Sequence, residues 1–197
     1  MAEKYTGVKF AIPEGALAKK TVLTITSKGL IRNMKKVAKD LAGRGLSSGT
    51  SGNLSTRTEG GFLITATASK LASLSDEDFV LVEEFDFENN SLKKAFGLKN
   101  PSSETPMHHL VYKTRSDVRA IIHVHDPALL TERAIAKLKL PVTEQELSYG
   151  TKEIAEGIAP LLANRDAAIA KGHGIVVVGK SIEECAERLV TLHRRAK

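Results

Sequence analysis

Between Ser27 and Ala42 the apolar residues Leu30, Ile31, Met34, Val37, Ala38 and Leu41 return every three or four positions, the spacing that gathers them along one side of an α-helix. Gly43 and Gly45 end it. The segment GLSSGTSGNLSTR (45–57) then reads as a Gly/Ser-rich loop, and the apolar runs FLITAT (62–67) and FVLVEEFDF (79–87) read as strands. An acidic turn from Glu88 to Asn90 precedes PSSETPMHHLVYKTR (101–115), a predicted helix that opens on Pro101 and Ser102. VRAIIHVH (118–125) is β-branched and apolar, hence a buried strand. Helical periodicity resumes over 128–138, 151–163 and 181–195, the last two flanking the strand AIAKGHGIVVVG (168–179). Residues 1–23, with VKFAI and TVLTI around Pro13 and Gly15, read as an N-terminal extension holding one strand.

The order is therefore helix, strands, helix, strand, helix, helix, strand, helix. It contains no repeat, low-complexity tract or linker, so residues 24–197 are expected to form one layered α/β domain. A length of 197 residues with 42% hydrophobic content suits one sizeable core. No apolar run approaches the roughly 18 residues needed to span a bilayer, and the start MAEKYTGVKF lacks an apolar signal region. The expectation is a soluble, cytoplasmic protein without a membrane partner.

A net charge of +6 could suit nucleic acid, but Lys and Arg are scattered, aromatics are 5% and Trp is absent, so no basic face interleaved with aromatics emerges. A positive field also steers small anions toward a site, or simply solvates the surface. The single cysteine, Cys185, lies in the helical stretch IEECAERLV and reads as a small packed hydrophobe.

The chemistry concentrates in histidines. His123 and His125 lie two apart on a strand, so both imidazoles leave the same face, the arrangement that one metal ion requires. Catalytic zinc takes three protein ligands and keeps a position open. His173, between Gly172 and Gly174 before IVVVG, is the best placed third donor, because glycine on both sides lets the backbone approach closely. A structural histidine pair and an incidental turn histidine are the competing readings. His108 and His109 are rival donors, and Glu104 with His108 makes an i,i+4 pair, although packing on the helix is the preferred reading for both histidines. His193 reads as a solvated surface residue. The loop GTSGNLS (49–55) offers glycines, hydroxyls and Asn53 to an anion, though no GK[ST] follows and a plain turn would look alike. Pro101-Ser102-Ser103 at a helix start is a second anion candidate.

Taken in order, GLSSGTSGNLSTR, FLITAT, PSSETPMHHLVYKTRSDVRAIIHVHDP and KGHGIVVVGKSIEEC resemble the signature blocks of the class II aldolase/adducin family, covering about residues 30–190. The resemblance implies an α/β fold, a single three-layer domain with a central, mainly antiparallel sheet flanked by helices, assembled as a homotetramer. It implies one zinc ion per chain on His123, His125 and His173. A phosphate pocket of Thr50, Gly52, Asn53, Thr67, Ala68, Ser102 and Ser103 is implied too, with Glu104 as the catalytic acid/base. Two departures bear on the substrate. Where the family has a Thr-Pro-Ser/Thr-Gly turn this chain reads Thr65-Ala66-Thr67-Ala68. The stretch between His125 and His173 and the chain beyond it are short beside bacterial sugar-phosphate aldolases that supply tyrosines from there, leaving Tyr149 as the candidate.

The implied activity is reversible aldol cleavage of a ketose phosphate to dihydroxyacetone phosphate and an aldehyde. A ketose-phosphate dehydratase acting on a compound such as methylthioribulose 1-phosphate is the alternative enzyme, and a non-catalytic, adducin-like interaction domain the alternative of another class. Pentulose-phosphate epimerisation fits less well, because such epimerases carry Asp where this chain has Glu104.

Overall fold

The computed structural model describes residues 7–22 and 25–197 of the chain, so the expected extension is described only from Gly7 to Val22. Within it lies the two-residue strand β1 (Leu17–Ala18). Helix α1 (Ile25–Gly43) follows. Strands β2 (Asn53–Thr58), β3 (Gly61–Thr65), β4 (Phe79–Asp86) and β5 (Ser91–Phe96) come next, then α2 (Thr105–Thr114), β6 (Ala120–Val124), α3 (Glu132–Leu138), α4 (Lys152–Leu161), β7 (Ala167–Ala170), β8 (Gly174–Gly179) and α5 (Ile182–Ala196).

The strands make one mixed sheet in the order β1-β5-β4-β3-β2-β6-β8-β7. β1 runs parallel to β5, and the six other pairings are antiparallel. Alternation along β6 divides the core. Ile121 joins Ile64, Val80, Val176 and Val178 under α2 and α4, whereas Ala120, Ile122 and Val124 face α1, α3 and α5. Helices thus cover both faces, giving three layers. Cys185 is buried there as a hydrophobe, and burial pushes its thiol up to about 12.

Three readings of the sequence need correction. The stretch taken as a loop holds β2, whose sequence NLSTRT is too rich in Ser and Thr to show an apolar period. AIAKGHGIVVVG is a hairpin of β7 and β8, with His173 in its turn. The helix after Pro101 starts only at Thr105, with Pro106 in its first turn, since Pro101 is held in a bridge to Ala66 and Ser102 N–H donates to Thr65 O (3.1 Å). β5 was not announced by the pattern at all. No helix among the described residues is long and apolar enough to cross a membrane.

Candidate metal and active site

β6 lies between β2 and β8, and the register sets Asn53 and Val176 opposite His123. His123, on the face shared with Ile121, is 1% exposed, and His125 leaves the strand end on the same side. The His123 Nδ1–H donates to the Ile175 carbonyl (3.0 Å), which assigns the proton to Nδ1 and leaves the Nε2 lone pair free. That Nε2 lies 2.9 Å from His125 Nε2 and 3.1 Å from His173 Nε2. A tetrahedral zinc with bonds of about 2.0–2.1 Å sets its nitrogens about 3.3 Å apart. Three imidazole nitrogens this close fit one divalent cation.

Electrostatics keep the His123 and His125 rings in the neutral, ligating form. Burial, then His125 and His173, holds the His123 pKa well below its ordinary value, and burial, then His173, brings His125 down to about 4. The hairpin turn shows why glycines flank His173. A Cβ on Gly174 would come within 2.6 Å of His123 Cε1 and 2.7 Å of the Val124 carbonyl, and Gly172 has φ +69°.

Glu104 sits at the N-terminus of α2, buried, with Oε1 accepting from Gly150 N–H (3.1 Å) and lying 3.5 Å from His173 Nε2. Its other oxygen, Oε2, is buried with no hydrogen-bond partner. Such an oxygen is costly unless something arrives to meet it.

Every residue singled out for the site lines one cavity of about 480 Å³. Thr50, Gly52 and Asn53 come from the loop into β2, where Gly52 (φ +87°) cannot take a Cβ because it would sit 2.8 Å from the His123 carbonyl. Thr67 and Ala68 come from the turn after β3, held beside the serine pair by Thr67 N–H donating to Asn100 O (3.0 Å). Ser102 and Ser103 complete this side.

The rival histidines stand apart from the triad. His108 is 0% exposed, its Nδ1 2.6 Å from Ser55 Oγ and its Nε2 2.7 Å from Asn53 Oδ1. Burial brings its pKa down to about 3. His109 stacks on Phe87 on another side of α2. His193 is not the solvated residue expected: it reaches back from α5, and its Nδ1 meets the Asp126 carboxylate at 2.6 Å, beside His125. Its place in the last turn of a helix gave no sign of this tertiary contact.

The reading from sequence missed Glu146, Leu147, Ser148 and Lys171, which form the far wall with Tyr149. They sit in an aperiodic segment and a turn, where no sequence period could mark them. Tyr149 donates to Gly7 O (3.4 Å) and lies under the Lys9 ammonium, so the N-terminal segment backs this wall.

Sheet order, histidine triad and cavity together define a class II aldolase type of architecture. The chain belongs to the family described as Class II Aldolase and Adducin N-terminal domain, whose model matches residues 32–197. It is 31% identical over 179 residues to an L-fuculose phosphate aldolase of Methanococcus maripaludis, covering 85% of this chain and 93% of that protein. It is 26% identical over 174 residues to a 5-methylthioribulose-1-phosphate/5-deoxyribulose-1-phosphate aldolase of Rhodospirillum rubrum (81% and 75%). The crystal structure of L-fuculose-1-phosphate aldolase from Thermus thermophilus superposes with a TM-score of 0.68 at 30% identity, covering 85% of this chain and 90% of that one.

Proposed function

We propose that this chain is a zinc-dependent aldolase that cleaves a ketose 1-phosphate to dihydroxyacetone phosphate and an aldehyde. The observation that carries the reading is the unpartnered Glu104 Oε2, buried in the same cavity as the three converging imidazoles. An interaction module has no use for a desolvated carboxylate oxygen left without a donor.

His123, His125 and His173 hold the metal. When bound, the zinc supplies Lewis-acid polarisation of the substrate's carbonyl and adjacent hydroxyl oxygens. Opposite it, the loop from Thr50 to Asn53, the Thr67-Ala68 turn and the Ser102-Ser103 pair hold the phosphate with side-chain and backbone donors at a distance from the reacting carbons. Glu104 Oε2 moves the proton at the carbon beside the carbonyl, while the Gly150 N–H on Oε1 fixes the carboxylate plane. In cleavage the hydroxyl on the next carbon gives up its proton as the C–C bond breaks and becomes the aldehyde carbonyl, the bonding pair stays on the carbon beside the ketone, and Glu104 carries that proton from oxygen to carbon. The Glu146–Tyr149 wall and Lys171 face the aldehyde half and select it.

Both curated relatives carry aldolase names with ketose-phosphate substrates, which supports cleavage over dehydration. The test is to incubate the zinc-loaded chain with L-fuculose 1-phosphate, 5-deoxyribulose 1-phosphate and 5-methylthioribulose 1-phosphate. Dihydroxyacetone phosphate, detected with a coupled dehydrogenase and absent after chelation, is the expected product. A dehydrated ketose phosphate, or no turnover of any of the three with metal bound, would overturn the reading.

A further inference from the structure

Beneath the cavity, four side chains from β2 and α2 form a buried hydrogen-bonded chain that the proposed reaction leaves unused: Tyr112 Oη lies 2.8 Å from Ser55 Oγ, Ser55 Oγ 2.6 Å from His108 Nδ1, and His108 Nε2 2.7 Å from Asn53 Oδ1. Asn53 alone of the four lines the cavity. Their closeness follows from the strand period, since Asn53 and Ser55 leave β2 on the face that α2 covers, and His108 and Tyr112 stand one helical turn apart above them.

We infer that His108 is a positioning residue for the anion site, donating from Nε2–H to Asn53 Oδ1 so that the Asn53 amide turns its NH2 group into the cavity as a phosphate donor. The direction follows from counting hydrogens. Tyr112 hydroxyl has Ser55 as its one hydrogen-bond partner among the described residues, so its O–H donates there. Ser55 then gives its own hydrogen to His108 Nδ1, and a neutral ring that accepts at Nδ1 carries its proton on Nε2. Asn53 can meet that donor only with its carbonyl. Running the chain the other way would leave the buried phenol hydrogen with no acceptor, and would present the Asn53 carbonyl oxygen to an anion. Asn53 Nδ2 makes no protein hydrogen bond among the described residues and is not among the enclosed polar atoms without a partner, which places it at the cavity surface.

The inference rests on the phosphate reading of this loop, and its test separates the two. Inorganic phosphate is titrated calorimetrically into the zinc-loaded full chain, into Asn53→Ala, His108→Phe and His108→Gln, and into the Asn53→Ala/His108→Phe double variant. His108→Phe should weaken phosphate binding by about 10-fold, roughly the value of a charge-assisted hydrogen bond, with KM for the ketose phosphate rising in parallel and kcat little changed. His108→Gln, whose amide keeps a donor near Nε2, should recover most of the affinity. The double variant should bind no more weakly than Asn53→Ala, because His108 acts through Asn53. Parent-like phosphate affinity in a folded His108→Phe, or additive losses in the double variant, overturns the assignment while leaving the phosphate reading intact. A parent chain without phosphate affinity overturns both. Nitrogen-15 NMR of the parent supplies a readout that does not depend on the variants folding: an Nε2-protonated neutral His108 is expected, and an Nδ1-protonated ring refutes the proposed direction.

Discussion

The two ends of α2 lie over opposite ends of the sheet and are built on opposite principles. At its start, Glu104 Oε2 is buried without a partner, three imidazoles converge nitrogen to nitrogen, and Ala68 holds a left-handed backbone at φ 56°. At its finish, three arginines are paired. Arg57 donates to the carbonyls of Val118 (3.0 Å), Tyr112 (2.7 Å) and Arg115 (3.1 Å), and Arg115 donates to the carbonyls of Leu162 and Arg165 while pairing with Asp117 and Asp166. Arg188 closes the same end by donating to the Val178 carbonyl and pairing with Asp166 and Glu184. The difference shows how one small domain carries an unsatisfied site. Groups that the proposed reaction assigns to substrate and metal are left unpaired at one end, and stability comes from the paired end and from the two apolar layers between.

If that division holds, substitutions at the two ends move different observables. The largest expected effect is on Glu104→Gln, which removes basicity and keeps size. Turnover should fall by about 10²–10⁴-fold, the usual contribution of a positioned acid/base, with zinc content unchanged. Because Oε2 has no partner to lose, the melting temperature should hold or rise. Steady-state kinetics beside a thermal melt checks this, and normal turnover with a lowered melting temperature would reverse the comparison.

Arg115→Ala tests the other end. It strips donors from the Leu162 and Arg165 carbonyls, and should cost about 2 kcal/mol, or roughly 4–8 °C in melting temperature for a domain of this size. The kinetic constants should stay within about twofold. A large fall in kcat without a fall in stability would mean that the far end is wired to the site.

Asp78 supports the site end from behind. Its carboxylate accepts from Ser69 Oγ (2.9 Å), Ser75 N–H and Oγ (both 2.8 Å) and Lys99 Nζ (2.6 Å), and its carbonyl accepts from Ala66 N–H (2.8 Å), which holds the turn at Thr67. Burial raises its pKa, but the Lys99 ammonium and the Ser75 and Ser69 donors outweigh that and bring it from 3.8 down to about 2. A folded pKa below the unfolded one gives stability that is complete above about pH 4 and disappears as pH falls through about 2. At about 1.4 kcal/mol per unit, and with Lys99 half exposed, this amounts to about 1–2 kcal/mol. Urea unfolding of parent and Asp78→Asn should therefore differ by that much at pH 7 and converge near pH 2. A gap that stays constant over this range would mean that the carboxylate's charge contributes nothing.

How much of this was legible in the sequence depended on whether a residue's partners were local. The strand of His123 and His125 stood out because β-branched residues and a period of two specify it, and the Gly-His-Gly turn announced a tight approach that the spacing between Gly174 and His123 bears out. β2 was hidden because Asn53 and Ser55, on the face that α2 covers, meet His108 and Tyr112 instead of an apolar layer, so no hydrophobic alternation survives. His193 and the Gly150 N–H on Glu104 were invisible for another reason: their partners are distant in sequence, and nothing local distinguishes them. The far wall from Glu146 to Tyr149 belongs to the same class.

The smallest predicted effect falls on Ala68, in the turn after β3. Ala68 has φ 56°, a conformation that costs an L-residue with a Cβ roughly 1–2 kcal/mol and that glycine adopts freely. Its neighbours still hold the turn, since Ser69 N–H reaches Ala66 O (3.4 Å) and Thr67 N–H reaches Asn100 O. Ala68→Gly should relieve most of that strain, but the unfolded chain gains freedom worth about 0.4–1 kcal/mol. The difference leaves a stabilisation of about 0.5 kcal/mol, or roughly 1–2 °C in melting temperature. Because Ala68 offers the cavity only its backbone and one methyl group, phosphate affinity should change by less than about threefold, rising if the backbone N–H is freed to turn toward the anion. A melting temperature lowered by several degrees would show that the left-handed turn is held by the methyl's own packing, and that strain at this end of the sheet is smaller than the contrast with the arginine-paired end requires.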